Sequence, residues 1–187
     1  MNTDADYFPV LLAQLHHADP ATSIRLLTAA ADVHALDSRP LVLLAAEFAQ
    51  GRDMDRAEAA YVAALQRAPD FWIARFQLGL LQFTSARPAV AFVTWAPLDS
   101  LDGSHPLRLF KRAFECLAAD GFDRATELLR MGIAANTDNP PLNHDMRMLI
   151  ERIAQQQAGG NQPARPNEPA EPLADAHFLV STYRNLH

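Results

Sequence analysis

Cysteine is nearly absent. Cys116 stands alone among 187 residues, which excludes an internal disulfide and fits a reducing compartment. It falls inside a predicted helix, where a lone thiol serves as a small core residue rather than a nucleophile. Lysine is as scarce: Lys111 is the only one beside fifteen arginines, the bias of a GC-rich bacterial genome. The formal net charge of −6 leaves positive charge in deficit, so a nucleic-acid surface, which needs clustered Lys and Arg, is not expected. No run reaches the roughly 20 apolar residues that cross a bilayer, so membrane insertion is not expected either. The polar start Met1-Asn2-Thr3-Asp4-Ala5-Asp6 has no signal-peptide pattern, and the expected compartment is the cytoplasm. Also missing are G-x-S-x-G, the P-loop, the dinucleotide fingerprint and H-E-x-x-H. No catalytic residue, metal ligand or cofactor site is predicted.

What the chain does have is a period. Ala57, Ala91 and Ala125 stand 34 residues apart, twice over. Ala45, Gly79 and Ala113 recur in the same phase, as do Tyr61, Trp95 and Leu129, and Leu44 with Leu78. Asp55-Arg56-Ala57 returns as Asp123-Arg124-Ala125 after two periods. Such a period, with a small residue in each half, marks stacked helix–turn–helix units. Two helices of a hairpin approach closely only where neither carries bulk.

Punctuation agrees. Asp19-Pro20, Arg39-Pro40, Arg87-Pro88, His105-Pro106 and Asn139-Pro140 each put proline where a helix can begin. Ser38, Asp70 and Asn139 are candidate N-caps, and Gly51, Gly103 and Gly121 fall in turns. The pattern predicts helix pairs at about 5–17 and 20–34, 39–50 and 54–67, 71–84 and 88–98, and 106–119 and 122–135, then one helix at about 140–157. Its polar run Gln155-Gln156-Gln157 suits a solvent-facing cap on a stack.

With Gln77-Leu78-Gly79 as its clearest stretch, the chain resembles the tetratricopeptide repeat family over roughly residues 5–157. Repeats run from Ser38 to Phe71, Trp72 to His105 and Pro106 to Asn139, and Pro69 closes the first where the family expects proline. Three positions depart from the pattern. Arg75 replaces an aromatic, Gly103 replaces the closing proline of repeat two, and Arg112 takes a core leucine position unless that helix is shifted by one residue. The resemblance implies an all-α, right-handed superhelix of about three to four hairpins plus a capping helix. It also implies a protein-binding module in which the first helix of each hairpin lines a concave groove. The matching positions are Val42, Ala46, Ala49, Ile73, Phe76, Leu80 and Phe83. If repeat three keeps register they include Leu107, Phe110, Phe114 and Leu117; a one-residue shift presents Arg108, Lys111 and Glu115 instead. The Lys/Arg/Asn clamp that some members use for carboxylate-ended peptides is not present. An apolar groove implies an apolar or amphipathic peptide as partner, and packing of the same side chains into the core is the alternative. The stretch Ala113-Phe114-Glu115-Cys116-Leu117-Ala118-Ala119-Asp120-Gly121 is similar to the small chaperones of bacterial type III secretion, which would make the chain a secretion chaperone.

After residue 157 the composition changes. Residues 158–172 are polar and rich in Pro and Gly, the composition of a flexible linker. In residues 173–187 Leu179, Tyr183 and Leu186 fall on one helical face with Ala176, flanked by Phe178. Fifteen residues do not sustain a helix alone, so this segment reads as a docking peptide, for its own groove or for that of another copy. Three functions follow: a groove-binding adaptor or chaperone, an assembly adaptor acting through the tail, and an enzyme whose metal or thiol site is assembled across helices. The histidines speak little for the last. His16 and His17 are adjacent and point about 100° apart, while His34, His105, His144 and His177 are isolated in sequence.

Overall fold

A computed structural model describes residues 7–159, all of which are helix, turn or irregular chain. The docking peptide with Phe178, Leu179, Tyr183 and Leu186 lies outside the described residues, as does the linker from residue 160. The helices are α1 (Tyr7–His16), α2 (Pro20–Val33), α3 (Arg39–Gln50), α4 (Met54–Arg67), α5 (Trp72–Thr84), α6 (Pro88–Trp95), α7 (Pro106–Ala118), α8 (Phe122–Ala135) and α9 (Pro140–Gly159). Each begins and ends within two residues of its predicted span, with one exception. The segment expected as one helix to 98 stops at Trp95 and continues as a 3-10 helix, Ala96–Ser100. Pro97 is the reason: it has no N–H to give the Val93 carbonyl, and its ring crowds that oxygen. Ala96 therefore closes a tighter turn, its N–H donating to Val93 O.

The 34-residue period survives into packing. Ala45, Ala113, Ala57, Ala91 and Ala125 are fully buried, as are Tyr61, Trp95 and Leu129, and Gly79 is buried in the same phase. It survives into the turns as well. Arg52, Ala86 and Asp120, each 34 residues from the next, adopt positive φ of 60°, 59° and 55°. After each the chain closes the same bond: Asp53 N–H donates to Phe48 O (2.9 Å), Arg87 N–H to Gln82 O (3.0 Å) and Gly121 N–H to Cys116 O (2.8 Å). This is a helix-ending motif with a left-handed residue just past the helix. Gly51 and Gly121 stand in these turns, as expected, but both have negative φ, and the left-handed conformation falls on their neighbours Arg52 and Asp120.

Close backbone approaches divide the chain into two compact units, one ending at Ala74 and one beginning at Arg75, inside α5. In the first, α2 packs on α3 and α3 on α4, with α1 against α2. Asp19 and Asp53 cap α2 and α4 by accepting from Thr22 N–H (3.0 Å) and Arg56 N–H (3.2 Å). Ser38 occupies the N-cap position of α3 but makes no side-chain capping bond; Asp37 accepts from Arg39 N–H instead (2.9 Å).

In the second unit α7 and α8 form the tightest pair, α9 packs on α8, and α6 with its 3-10 extension lies against α7. Large rings sit over glycines on the facing helix. A Cβ on Gly79 (α5) would come within 2.1 Å of Trp95 Nε1 (α6), and one on Gly132 (α8) within 2.4 Å of Phe110 Cε1 (α7). The α8–α9 corner is fixed by two buried asparagines. Asn136 Nδ2 donates to Asn143 Oδ1 (2.8 Å), and Asn143 Nδ2 donates to Asn136 O (2.7 Å). Asn139 caps α9 as expected, accepting from Leu142 N–H (3.1 Å). On α9 Leu142, Met146 and Ile153 turn inward, while Gln155, Gln156 and Gln157 are exposed.

Candidate functional site

The apolar trough expected from the sequence is not an open surface at most of its positions, and this corrects the expectation. In the first unit Val42, Ala46 and Ala49 are buried along α3, a helix with neighbours on both α2 and α4. In the second, Phe76, Leu80, Phe110 and Phe114 are buried. Their rings form one cluster: Phe76 stacks on Trp95 (centroids 5.6 Å apart) and meets Phe110 (6.0 Å) and Phe114 (6.2 Å). Phe83 meets Phe114 edge-on at 5.2 Å and Phe92 at 6.2 Å. Trp95 also donates from Nε1 to Phe76 O (2.9 Å), so its only polar group is satisfied inside the core. These phenylalanines hold hairpins together instead of waiting for a ligand. Of the eleven groove positions only Ile73, Phe83 and Leu117 keep part of their surface.

The open question of register in the third repeat resolves by burial. Phe110 and Phe114 face inward and Arg112 faces solvent. Lys111 is buried too, at 4% exposure, but not in a groove. Its Nζ lies 2.5 Å from Asp99 Oδ2 and 3.1 Å from Glu115 Oε1, an ion pair that ties α7 to the 3-10 helix. A buried ammonium needs such partners, because desolvation of an unpaired charge is costly. Arg108 strengthens the join by donating to Leu101 O (2.7 Å). Arg75, which stands where the family carries an aromatic, reaches the Thr94 carbonyl at the C-terminus of α6 (3.4 Å), where positive charge is favourable. Cys116, expected in the core, is only half-buried.

A concavity with a polar floor lies in the first unit, in a place the sequence reading passed over. It is a cleft of about 810 Å³ bounded by the start of α1, the α2–α3 turn and the α4–α5 turn. Tyr7 stacks flat on His34, centroids 3.4 Å apart and planes 7° from parallel. The Tyr7 hydroxyl donates to Asp37 Oδ2 (2.6 Å), and Arg39 grips the same carboxylate through Nε and Nη2 (2.9 and 2.5 Å). The Arg39 guanidinium also lies 4.1 Å over the Phe8 ring. Arg67, from the last turn of α4, donates to Ala31 O and Asp37 O (both 3.1 Å) and so pins the α2–α3 turn. Burial and the bond to Asp37 push the Tyr7 hydroxyl up to about 12. Partial burial works to raise the Asp37 carboxyl, but the bonds from Arg39 and Tyr7 outweigh it and hold the group at about 2. Around this fixed floor the rim is apolar and bare. Leu36 is 97% exposed and Val33 76%, with Phe71 lining the far side. A sequence signal for the floor did exist, in Asp37 two residues before the start of α3, where a carboxylate can cap.

Among the described residues no three His, Cys, Asp or Glu side chains gather as a metal site would require, and no helix is long and apolar enough to cross a membrane. His16 and His17 meet edge to face, 4.8 Å between centroids.

No protein-family profile matches the chain, and no curated protein does. Solved structures do. One is MamA, residues 41 to the end, from Desulfovibrio magneticus RS-1: it is 14% identical with a TM-score of 0.55, over 81% of this chain and 89% of that one. Another is a MamA RS-1 double mutant, 12% identical with a TM-score of 0.57, over 98% of this chain and 92% of that one. At such identity the likeness speaks for architecture alone. With the hairpins, the 34-residue packing phase and the repeated turn geometry, it shows an all-α fold like that of tetratricopeptide repeats.

Proposed function

We propose that the chain is a non-enzymatic adaptor or chaperone that binds an apolar or amphipathic segment of a protein partner. The observation that carries this is the rim of the first-unit cleft, where Leu36 and Val33 stand in water beside a floor locked by the Tyr7–Asp37–Arg39 bonds. Exposed large apolar side chains around a rigid concavity are what a recognition surface requires. The floor is suited to positioning rather than to chemistry. Both Asp37 oxygens are engaged and the carboxyl is held at about 2, so it is no general base at neutral pH. Ile73 in the first unit, and Phe83 and Leu117 in the second, keep part of their surface and are secondary contacts in this reading. The secretion-chaperone assignment rests on Ala113–Gly121 alone, a stretch whose Phe114 is engaged in the aromatic cluster.

The test is comparative capture. Cross-linked partners of the wild-type chain and of a Val33→Asp/Leu36→Asp variant are identified by mass spectrometry. Both positions are exposed, so helicity and melting should be unchanged while the main partner is lost. Equal capture by both proteins refutes the cleft as the binding surface.

A further inference from the structure

From Pro88 to Leu98 no residue is charged, and the one hydroxyl, on Thr94, donates to Gln82 Oε1 (2.7 Å). Ala91, Trp95 and Leu98 turn inward at the spacing of one helical face. The opposite face of α6 and its 3-10 extension is Ala89, Val90, Val93, Ala96 and Pro97, all exposed, with Val93 at 76%. A helix solvated on one side normally carries charge there. This one sets contiguous apolar side chains in water, the mark of a surface that meets another protein.

The order of residues along this face fits a second copy of the same chain. Arg87 stands six residues before Val93 and Asp99 six residues after it, and both are exposed. Residues three apart eclipse in a 3-10 helix, so Asp99 continues the side of the face that carries Ala96. Half of the Asp99 side chain remains in water although Lys111 holds one of its oxygens. In an antiparallel two-fold pairing centred on Val93, each residue meets one equally far on the other side of the centre. Val93 then lies on Val93, Ala89 and Val90 meet Ala96 and Pro97 of the second copy, and the Arg87 end of one helix lies at the Asp99 end of the other. Positive charge meets negative at both ends. A parallel pairing would bring like charges together instead. The alanines on either side of the centre leave room for the two helices to approach.

Charge and size narrow the reading further. Two copies, each with a formal net charge of −6, repel one another on approach, and α6 is a stretch where that repulsion is absent. Five side chains of alanine, valine and proline size from each copy bury less than the roughly 1,200 Å² of a permanent interface, so the pair is weak and forms with concentration. We propose that two copies of this chain associate antiparallel through the outer faces of α6, about a two-fold axis at Val93. This goes beyond the partner reading and does not use the Val33–Leu36 rim.

The test is the oligomeric state of the full chain. Sedimentation from low micromolar to millimolar concentration should show the mass rising from monomer towards dimer and no further, as a closed two-fold requires. Val93→Glu, which sets two carboxylates face to face at the centre, should raise the dissociation constant at least tenfold with circular dichroism unchanged. Should that variant fold poorly, Val93→Cys in a Cys116→Ser background gives a second reading. On mild oxidation it should form disulfide-linked dimers at least tenfold faster than Met131→Cys in the same background, whose thiol is exposed on α8. A chain that stays monomeric throughout, or that assembles past the dimer, overturns the proposal. So does a dimer that survives Val93→Glu, and so do equal cross-linking rates. Val93 shielded from footprinting in the monomer also overturns it, because another segment of the same molecule would then hold the face.

Discussion

Replacing Gly79 by alanine sets two physical effects against each other with opposite signs. Helix propensity alone favours alanine by about 1 kcal/mol. Packing opposes it: the new Cβ would stand 2.1 Å from Trp95 Nε1 and 2.4 Å from Cε2. The ring has little room to retreat, since it is fully buried and touches Phe76, Phe83 and Phe114. It can move only by straining that cluster, at about 1–3 kcal/mol, and by weakening the bond from Nε1 to Phe76 O, worth about 1 kcal/mol. The net is a loss of about 1–3 kcal/mol, which for a chain of this length lowers Tm by roughly 3–10 °C. Melting followed by circular dichroism and tryptophan emission measures it. The same substitution in a Trp95→Leu background, where the ring is gone, should become neutral or favourable. A Tm for Gly79→Ala equal to or above wild type would mean that propensity wins, and that the close approach of α5 and α6 is not what glycine is there to allow.

Asp99→Asn should destabilise by about 1–2 kcal/mol, because it leaves the buried Lys111 with Glu115 alone, whereas Lys111→Met, which removes the charge itself, should be close to neutral in denaturant titration. His105 gives a pH dependence. Its Nδ1 accepts from Leu107 N–H (3.2 Å) to cap α7, and burial pushes its pKa below the ordinary 6.5, partly opposed by Asp102. The unfolded chain then takes up a proton before the folded one does. Its contribution is therefore intact above about pH 7 and lost as pH falls through 6.5 to the lower folded value. Thermal melts between pH 7.5 and 5 should show this slope in the wild type and a smaller one in His105→Asn.

What the sequence made legible was set by backbone geometry and small side chains. The 34-residue recurrence of Ala57, Ala91 and Ala125 located the hairpins because close helix contacts tolerate no substitute, and prolines at 20, 88, 106 and 140 located helix starts because their φ is already helical. The groove was misread because periodicity reports that a face is apolar, not what covers it. Phe76 and Phe110 satisfy the pattern equally well as ligand contacts or as partners of Trp95 and Gly132. The cleft of the first unit was passed over for a different reason, since Asp37 alone signals a cap and not a cleft. Its floor joins Tyr7 to Asp37 across 30 residues, and no local pattern brings them together. The left-handed residues were hidden because Arg52 and Ala86 are not types that announce such a conformation, and because glycines stand beside Arg52 and Asp120.

The burial of Lys111 has a chemical consequence. No other residue of the chain carries a lysine ε-amine, and this one is enclosed between two carboxylates. Acylating reagents and enzymes that modify lysine therefore find no ready side-chain target while α7 holds its place. Reactivity of that one nitrogen is a built-in clock for opening of the second unit: each acyl group attached there records an event in which α7 parted from the 3-10 helix.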